Sequence, residues 1–283
     1  MSNTVLLISL SLGCAAGLSA QCRPPAGSHE ARLLAFYSVP AVFTTDFATV
    51  DLPSGDVRVS VEGAYVPTAS ATLQHTEFCY TGKAEHTGLT HFFGRPRVAV
   101  GLPGGVLLEA SYLPPITIDN ATPNLVSAAA AITRRVYRDL LLTFRVHGTH
   151  GTVRGPITCP QEALQQSDAE APCYGTRPSE DEFKPDMIGG EIVGTMIPSN
   201  SASRIRFSGG VGANALRPRF RVGFSDLSGG TDRTRILVNT ARVTGFLGAA
   251  VRIGSRCNAS TEAFASFSDA VTARAIFGCS VHP

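Results

Sequence analysis

Between Arg95 and Pro115 the chain reads RPRVAVGLPGGVLLEASYLPP, and this pattern leaves few folds open. Successive side chains of an extended strand point to opposite sides. Val106, Leu108, Ala110 and Tyr112 therefore share one face, and Leu107, Glu109, Ser111 and Leu113 share the other. A Leu-Pro-Gly-Gly turn joins this arm to the one before it. Each arm runs about nine residues, close to what a tilted strand needs to cross a bilayer. One face is apolar while the other carries Glu109 at mid-strand, so a lipid-facing surface opposite a wet interior accounts for both.

The same period recurs along the chain. In DVRVSVEGAYV, Val57, Val59, Val61, Gly63 and Tyr65 alternate with Arg58, Ser60, Glu62 and Ala64. Leu140, Leu142, Phe144 and Val146 oppose Asp139, Leu141, Thr143, Arg145 and His147. Ile205, Phe207, Gly209 and Val211 oppose Arg204, Arg206, Ser208 and Gly210, and Phe220, Val222 and Phe224 oppose Arg219, Arg221 and Gly223. The alanines of LVSAAAAITRRV favour helix by propensity, but the ten-residue length and the neighbouring strands favour a strand. TEAFASFS and AVTARAIFG close the series as a hairpin, giving about twelve strands in all.

Charged residues make up 16% of the 283-residue chain, against about 25% in an average soluble protein. No apolar run after residue 20 approaches the length of a membrane helix, so any spanning is by strands. A net charge of +2 with no basic stripe gives no reason to expect nucleic acid as a partner. Residues 5–20, VLLISLSLGCAAGLSA, have the apolar core and small-residue end of an export signal, with cleavage expected after Ala20.

Removal of that segment takes Cys14 and leaves Cys22, Cys79, Cys159, Cys173, Cys257 and Cys279, an even set that suits disulfides in an exported chain. Six cysteines allow 15 pairings on paper. Cys159 and Cys173 bracket a polar loop and Cys257 and Cys279 bracket the closing hairpin, which leaves Cys22 with Cys79. The domain plan is then a signal over 1–20, an arm or plug over 21–54, and a barrel over 55–283 with a stapled loop at 151–185. Within the arm, Ser28 is placed to cap a short helix from Ala31 to Phe36. The arm either enters the barrel or lies on its surface.

An export signal, alternating strands, short turns alternating with long polar loops, and apolar outer faces together resemble bacterial outer-membrane β-barrel proteins over most of Asp56 to Gly278. The resemblance implies a closed antiparallel transmembrane barrel with a short N-terminal helical arm, bacterial outer-membrane localisation, and the lipid bilayer as a partner. N-terminal arms that enter the lumen occur in the fatty-acid transporter barrels, to which residues 21–54 are similar in placement. Two features depart from the pattern: the chain has no Trp for an aromatic girdle, and Phe277 is followed by GCSVHP where such barrels usually end on an aromatic residue.

The expected inward set comprises Arg58, Arg97, Arg145, Arg206, Arg219, Arg221, Arg252 and Arg274 against Glu62, Glu109, Asp139 and Glu191. A net basic lumen of this kind would favour anions; the same residues could equally form salt bridges filling a narrow barrel. The expected function is a channel or transporter for a small anionic or amphipathic solute. The alternatives are a structural or adhesive surface protein with a filled barrel and a secreted disulfide-bonded β-sandwich. No enzyme is expected, since there is no GxSxG, phosphate loop or dinucleotide fingerprint, and Ser111 and His147 point inward in this phase. His147 and His150 of HGTH fall on opposite faces of a strand, so no metal or other cofactor is expected.

Overall fold

The computed structural model describes residues 21–79, 91–198 and 205–281. The expected signal over 1–20, with Cys14, lies outside the described residues.

Ten strands close into a barrel: β1 (Val57–Tyr65), β2 (Phe92–Leu102), β3 (Val106–Leu113), β4 (Thr122–Tyr137), β5 (Leu140–Gly155), β6 (Met187–Met196), β7 (Ile205–Leu216), β8 (Thr240–Ile253), β9 (Cys257–Ser266) and β10 (Val271–Val281). Each pairs antiparallel with the next, and β10 returns to β1 with Val281 opposite Val57. Closure pairs each strand of the ring on both sides over most of its height. Period-two alternation sets the burial: Arg58 and Glu62 are 1% and 0% exposed, whereas Val59 and Val61 are 51% and 61% exposed. The alanines of β4 are extended because β3 and β5 flank them and pairing overrides helix propensity.

The turns at 103–105, 138–139 and 254–256 lie at one rim, together with Val281; this is the lower rim. The connections 66–91, 114–121, 156–186 and 217–239 lie at the upper rim. Gly104 and Gly105 adopt φ of 75° and 69°, which suits the left-handed turn between β2 and β3.

The barrel has ten strands, not about twelve. The segment holding Arg219–Arg221 is too short to cross, and it pairs with Asp181–Lys184 and Arg235–Leu237 in a lobe at the upper rim, with Gln21–Cys22 at its edge. The lobe grows from β5. Up to Thr149 this strand pairs with β6, and from Val153 to Gly155 it pairs with Asp181–Lys184. Between the two stands Gly151 at φ 138°, where a Cβ would lie 2.1 Å from the Asn124 carbonyl oxygen. The stapled loop is accordingly shorter than 151–185, since both of its ends are strand.

The N-terminal segment enters the barrel. Ser28 Oγ accepts a hydrogen bond from the Ala31 N–H at the start of α1 (His29–Ser38). Residues 39–50 then run down the lumen, every one buried, and 51–56 reach β1 at the lower rim. Three disulfides are present: Cys22–Cys79, Cys159–Cys173 and Cys257–Cys279. The first ties the start of the plug to the connection between β1 and β2.

Candidate functional site

The plug crosses the lumen without regular secondary structure, so its buried carbonyls need partners from elsewhere. Inward arginines supply them. Arg274 donates to the Val39, Pro40 and Val42 carbonyls, Arg95 to Ala41 and Val42, Arg97 to Thr44 and Arg145 to Phe43. The Phe43 ring, 0% exposed, lies 4.3 to 5.1 Å from the guanidinium carbons of Arg97, Arg95 and Arg145.

Carboxylates complete the layer. Glu62 accepts from Arg95 at 2.9 Å, Arg97 at 2.6 Å and Arg274 at 3.3 Å. Glu109 bridges Arg97 at 3.2 Å and Arg145 at 2.7 Å, and Glu191 takes Arg145 at 3.0 Å and the Thr45 hydroxyl. Asp46 of the plug binds Arg58 at 3.2 Å and Ser260 at 3.0 Å. His147 Nε2 lies 2.9 Å from Asn214 Oδ1.

Arg58, Glu62, Arg97, Glu109, Arg145, Glu191 and Arg274 are thus brought together inside the barrel. Arg206 sits at the lower rim against Asp51 of the plug. Arg252 is in inward phase with Ala250 but is exposed at the same rim, and Asp139 lies in the β4–β5 turn. Arg219 and Arg221 lie on the outer face of the lobe, because their strand is not part of the barrel. Of the two histidines of HGTH, His147 is buried and the side chain of His150 is 83% exposed beside Asp186. Among the described residues no group of three metal-ligating side chains occurs.

Sequence reasoning missed Arg95, Asp46 and Glu262. Arg95 and Glu262 carry the inward phase of Arg97 and Ser260, which was the available signal; Asp46 has no periodic context. With them the buried charges of the lumen are Arg58, Arg95, Arg97, Arg145 and Arg274 against Asp46, Glu62, Glu109, Glu191 and Glu262. The interior is balanced rather than net basic.

A second feature lies above this layer. The last ladder pair between β2 and β3 is Arg97 with Ser111. Pro96 follows, with no N–H to donate, and the Ser111 hydroxyl donates to its carbonyl at 2.8 Å. Above it the described residues of β2 pair only with β1, and those of β3 only with β4. A cavity of 160 Å³ sits at this break. Phe92, Phe93, Leu113 and Ile118 line it from the wall, and Leu34 and Tyr37 from α1. A second cavity, of 310 Å³, lies beside the lower end of the plug, against Val50, Leu52 and Leu107. The charged layer and the buried chain of 42–46 separate the two.

Glu30 fixes α1 to the upper rim. Its Oε1 accepts the backbone N–H groups of Glu77, Phe78 and Cys79 at 2.7, 2.5 and 3.0 Å. Burial raises its pKa, but these N–H groups outweigh burial and hold the carboxyl below the usual carboxylate range. A lowered folded-state pKa gives stability that is present above the unfolded value of 4.5 and lost as pH falls through the folded one. Protection factors at the Phe78 and Cys79 amides, corrected for the pH dependence of intrinsic exchange, are therefore expected to fall locally on acidification below 4.5. The same amides in Glu30→Gln should lack that pH step; an identical step in both proteins would assign it to another group.

The sequence matches no protein-family model and no curated protein. Among solved structures the chain is similar to Ail, the attachment invasion locus protein of Yersinia pestis, at 7% identity and TM-score 0.31 over 81% of this chain and 100% of that one. It is similar to the P. putida toluene transporter TodX at 12% identity and TM-score 0.31 over 84% and 70%. Against the copper transporter OprC the values are 10% and 0.34 over 80% of this chain and 42% of that one, so this chain spans less than half the length of OprC. TM-scores at this level carry no argument, and the barrel assignment rests on the strand register.

Proposed function

We propose that this chain is a bacterial outer-membrane β-barrel that binds a small, mainly apolar or amphipathic solute at its outer end and is closed to ions at rest by its N-terminal segment. The observation that carries the binding reading is the apolar cavity at the break between β2 and β3. Few polar groups and a wall of aliphatic and aromatic side chains suit an apolar ligand. The break sets this cavity beside the outer wall, so a bound solute would pass sideways toward lipid without disturbing the charged layer.

The membrane reading is supported by the outward side chains. Val59, Val61, Leu108, Phe144, Val146, Ile188, Val211, Val243 and Leu247 are all exposed on the outer surface, an apolar face of the kind that marks a membrane or protein contact. Tyr65, Phe92 and Tyr112 stand near the upper edge of that surface, in the role of an aromatic girdle. The longest connections, 66–91, 156–186 and 217–239, are at the upper rim, which suits an orientation with that rim outside the cell. The proposed role is binding and passage, without catalysis.

A second reading, a permanently filled structural barrel, draws support from the number of arginine bonds to the plug. Titration with an apolar fluorescent naphthylamine dye in detergent separates the two. Ile118 lines the cavity and is 51% exposed, so Ile118→Arg leaves the fold intact while placing a cation in the apolar wall. Dye affinity is expected to fall about tenfold. Equal affinity in both proteins, or no dye binding at all, would favour the filled structural barrel.

A further inference from the structure

The lobe has two faces. One row across it, Val153, Phe183, Phe220 and Ile236, packs into a buried apolar cluster with Val222 and Phe224. The adjacent row runs Arg154, Glu182, Arg221 and Arg235, each opposite the next on neighbouring strands. On the other side of the apolar row, Lys184 stands opposite Arg219. This face therefore carries five cations and one carboxylate.

Glu182 reaches Arg154 at 3.4 Å, Lys184 at 3.3 Å and Arg221 at 3.4 Å. Among the described residues no carboxylate bridges to Arg219 or Arg235, and both are exposed. Arg221 opposite Arg235 and Lys184 opposite Arg219 are like-charge pairs, which a ladder alone disfavours. An external anion would relieve that repulsion.

The register places this face relative to the apolar wall. β4 and β5 stay in step up to Thr122 opposite Arg154, so Arg154 points to the same side as Phe144 and Val146. Tyr112, Val126 and His150 are paired in sequence across β3, β4 and β5 and mark the upper edge of the apolar surface. Arg154 is four residues beyond His150 on the same strand, about 13 Å along it. The basic face thus continues the lipid-facing wall at the height where headgroups begin.

We propose that the lobe's outer face, through Arg154, Lys184, Arg219, Arg221 and Arg235, docks the phosphates of lipid headgroups in the outer leaflet. The planar guanidinium fork matches phosphate oxygens in pairs. The inference rests on the membrane reading above, which fixes the side of the wall that meets lipid.

Native mass spectrometry of the full chain in detergent, titrated with bis-phosphorylated lipid A, tests it. Arg219→Ser, Arg221→Ser and Arg235→Ser together should weaken retention about a hundredfold, at roughly fivefold per cation removed. The matching triple replacement by Lys, which keeps the charge and loses the fork, should weaken binding less than the triple Ser replacement. Wild-type protein should retain dephosphorylated lipid A far less well than the phosphorylated form, a comparison that needs no variant. Equal retention of the two lipids, unchanged binding in the triple Ser variant, or stronger competition by soluble dextran sulfate than by lipid would each overturn the proposal. A barrel that fails to enter bilayers tells against the membrane reading; one that enters but ignores the phosphates tells against this face alone.

Discussion

Glu62→Leu is expected to destabilise the barrel by about 3–5 kcal/mol, because it removes the shared partner of three buried guanidiniums. Glu62 is 0% exposed and accepts from Arg95, Arg97 and Arg274, whose side chains are at most 3% exposed. None of these cations can turn to water when the carboxylate is lost. Arg154 gives the contrast, since its side chain is 67% exposed, solvent screens its pair with Glu182 to about 0–1 kcal/mol, and Glu182 keeps Lys184 and Arg221 when Arg154 is lost. Urea titration followed by heat-modifiable gel migration reads the difference. Glu62→Leu should unfold at markedly lower urea while Arg154→Ser stays near wild type. A loss for Glu62→Leu below about 1 kcal/mol would mean that the charged layer is hydrated and does not hold the plug.

Excision of 21–53, with Cys79→Ser to remove the thiol left unpaired, is expected to turn a closed barrel into a conducting one. The segment fills the lumen with buried chain from 39 to 50. The cavities above and below it meet once the layer around Phe43 to Asp46 is gone. Excision also removes Asp46, leaving Arg58, Arg95, Arg97, Arg145 and Arg274 against Glu62, Glu109, Glu191 and Glu262. Planar-bilayer recording should show steady current with a mild anion preference in the excised protein and none in wild type. An excised barrel that keeps its strand content but stays closed would contradict the plug's role as the seal, and so would a wild-type protein with steady current.

Much of this was legible in the sequence wherever one face is buried, because a one-residue slip in a strand would exchange lipid-facing and inward side chains. That constraint set the phase of Val57–Tyr65, Val106–Leu113 and Leu140–Val146, and with it the inward placement of Glu62, Glu109 and Arg145. It failed at Phe220–Phe224, where apolar and basic residues alternate as in a barrel strand but the buried side belongs to the lobe. Alternation reports that a sheet has two environments and does not identify them. Chain length holds the missing signal, since Arg219–Arg221 pairs over three residues only. The break above Pro96 was visible as a proline in a strand, but the cavity behind it depends on where α1 comes to rest. Asp46 was invisible for the same reason, because its partners are set by the path of the plug through the lumen.

The chain has no tryptophan, so a single introduced one reports its own surroundings without background. Leu108 points outward on β3 and is 46% exposed, while its neighbour Leu107 points inward at 5%, beside the lower cavity that gives a larger ring room. In vesicles of brominated lipid, Leu108→Trp should emit at short wavelength and be strongly quenched, and Leu107→Trp should be quenched little. Leu108→Trp emission that is water-like and indifferent to bromine would contradict the outward apolar face, and with it the membrane barrel.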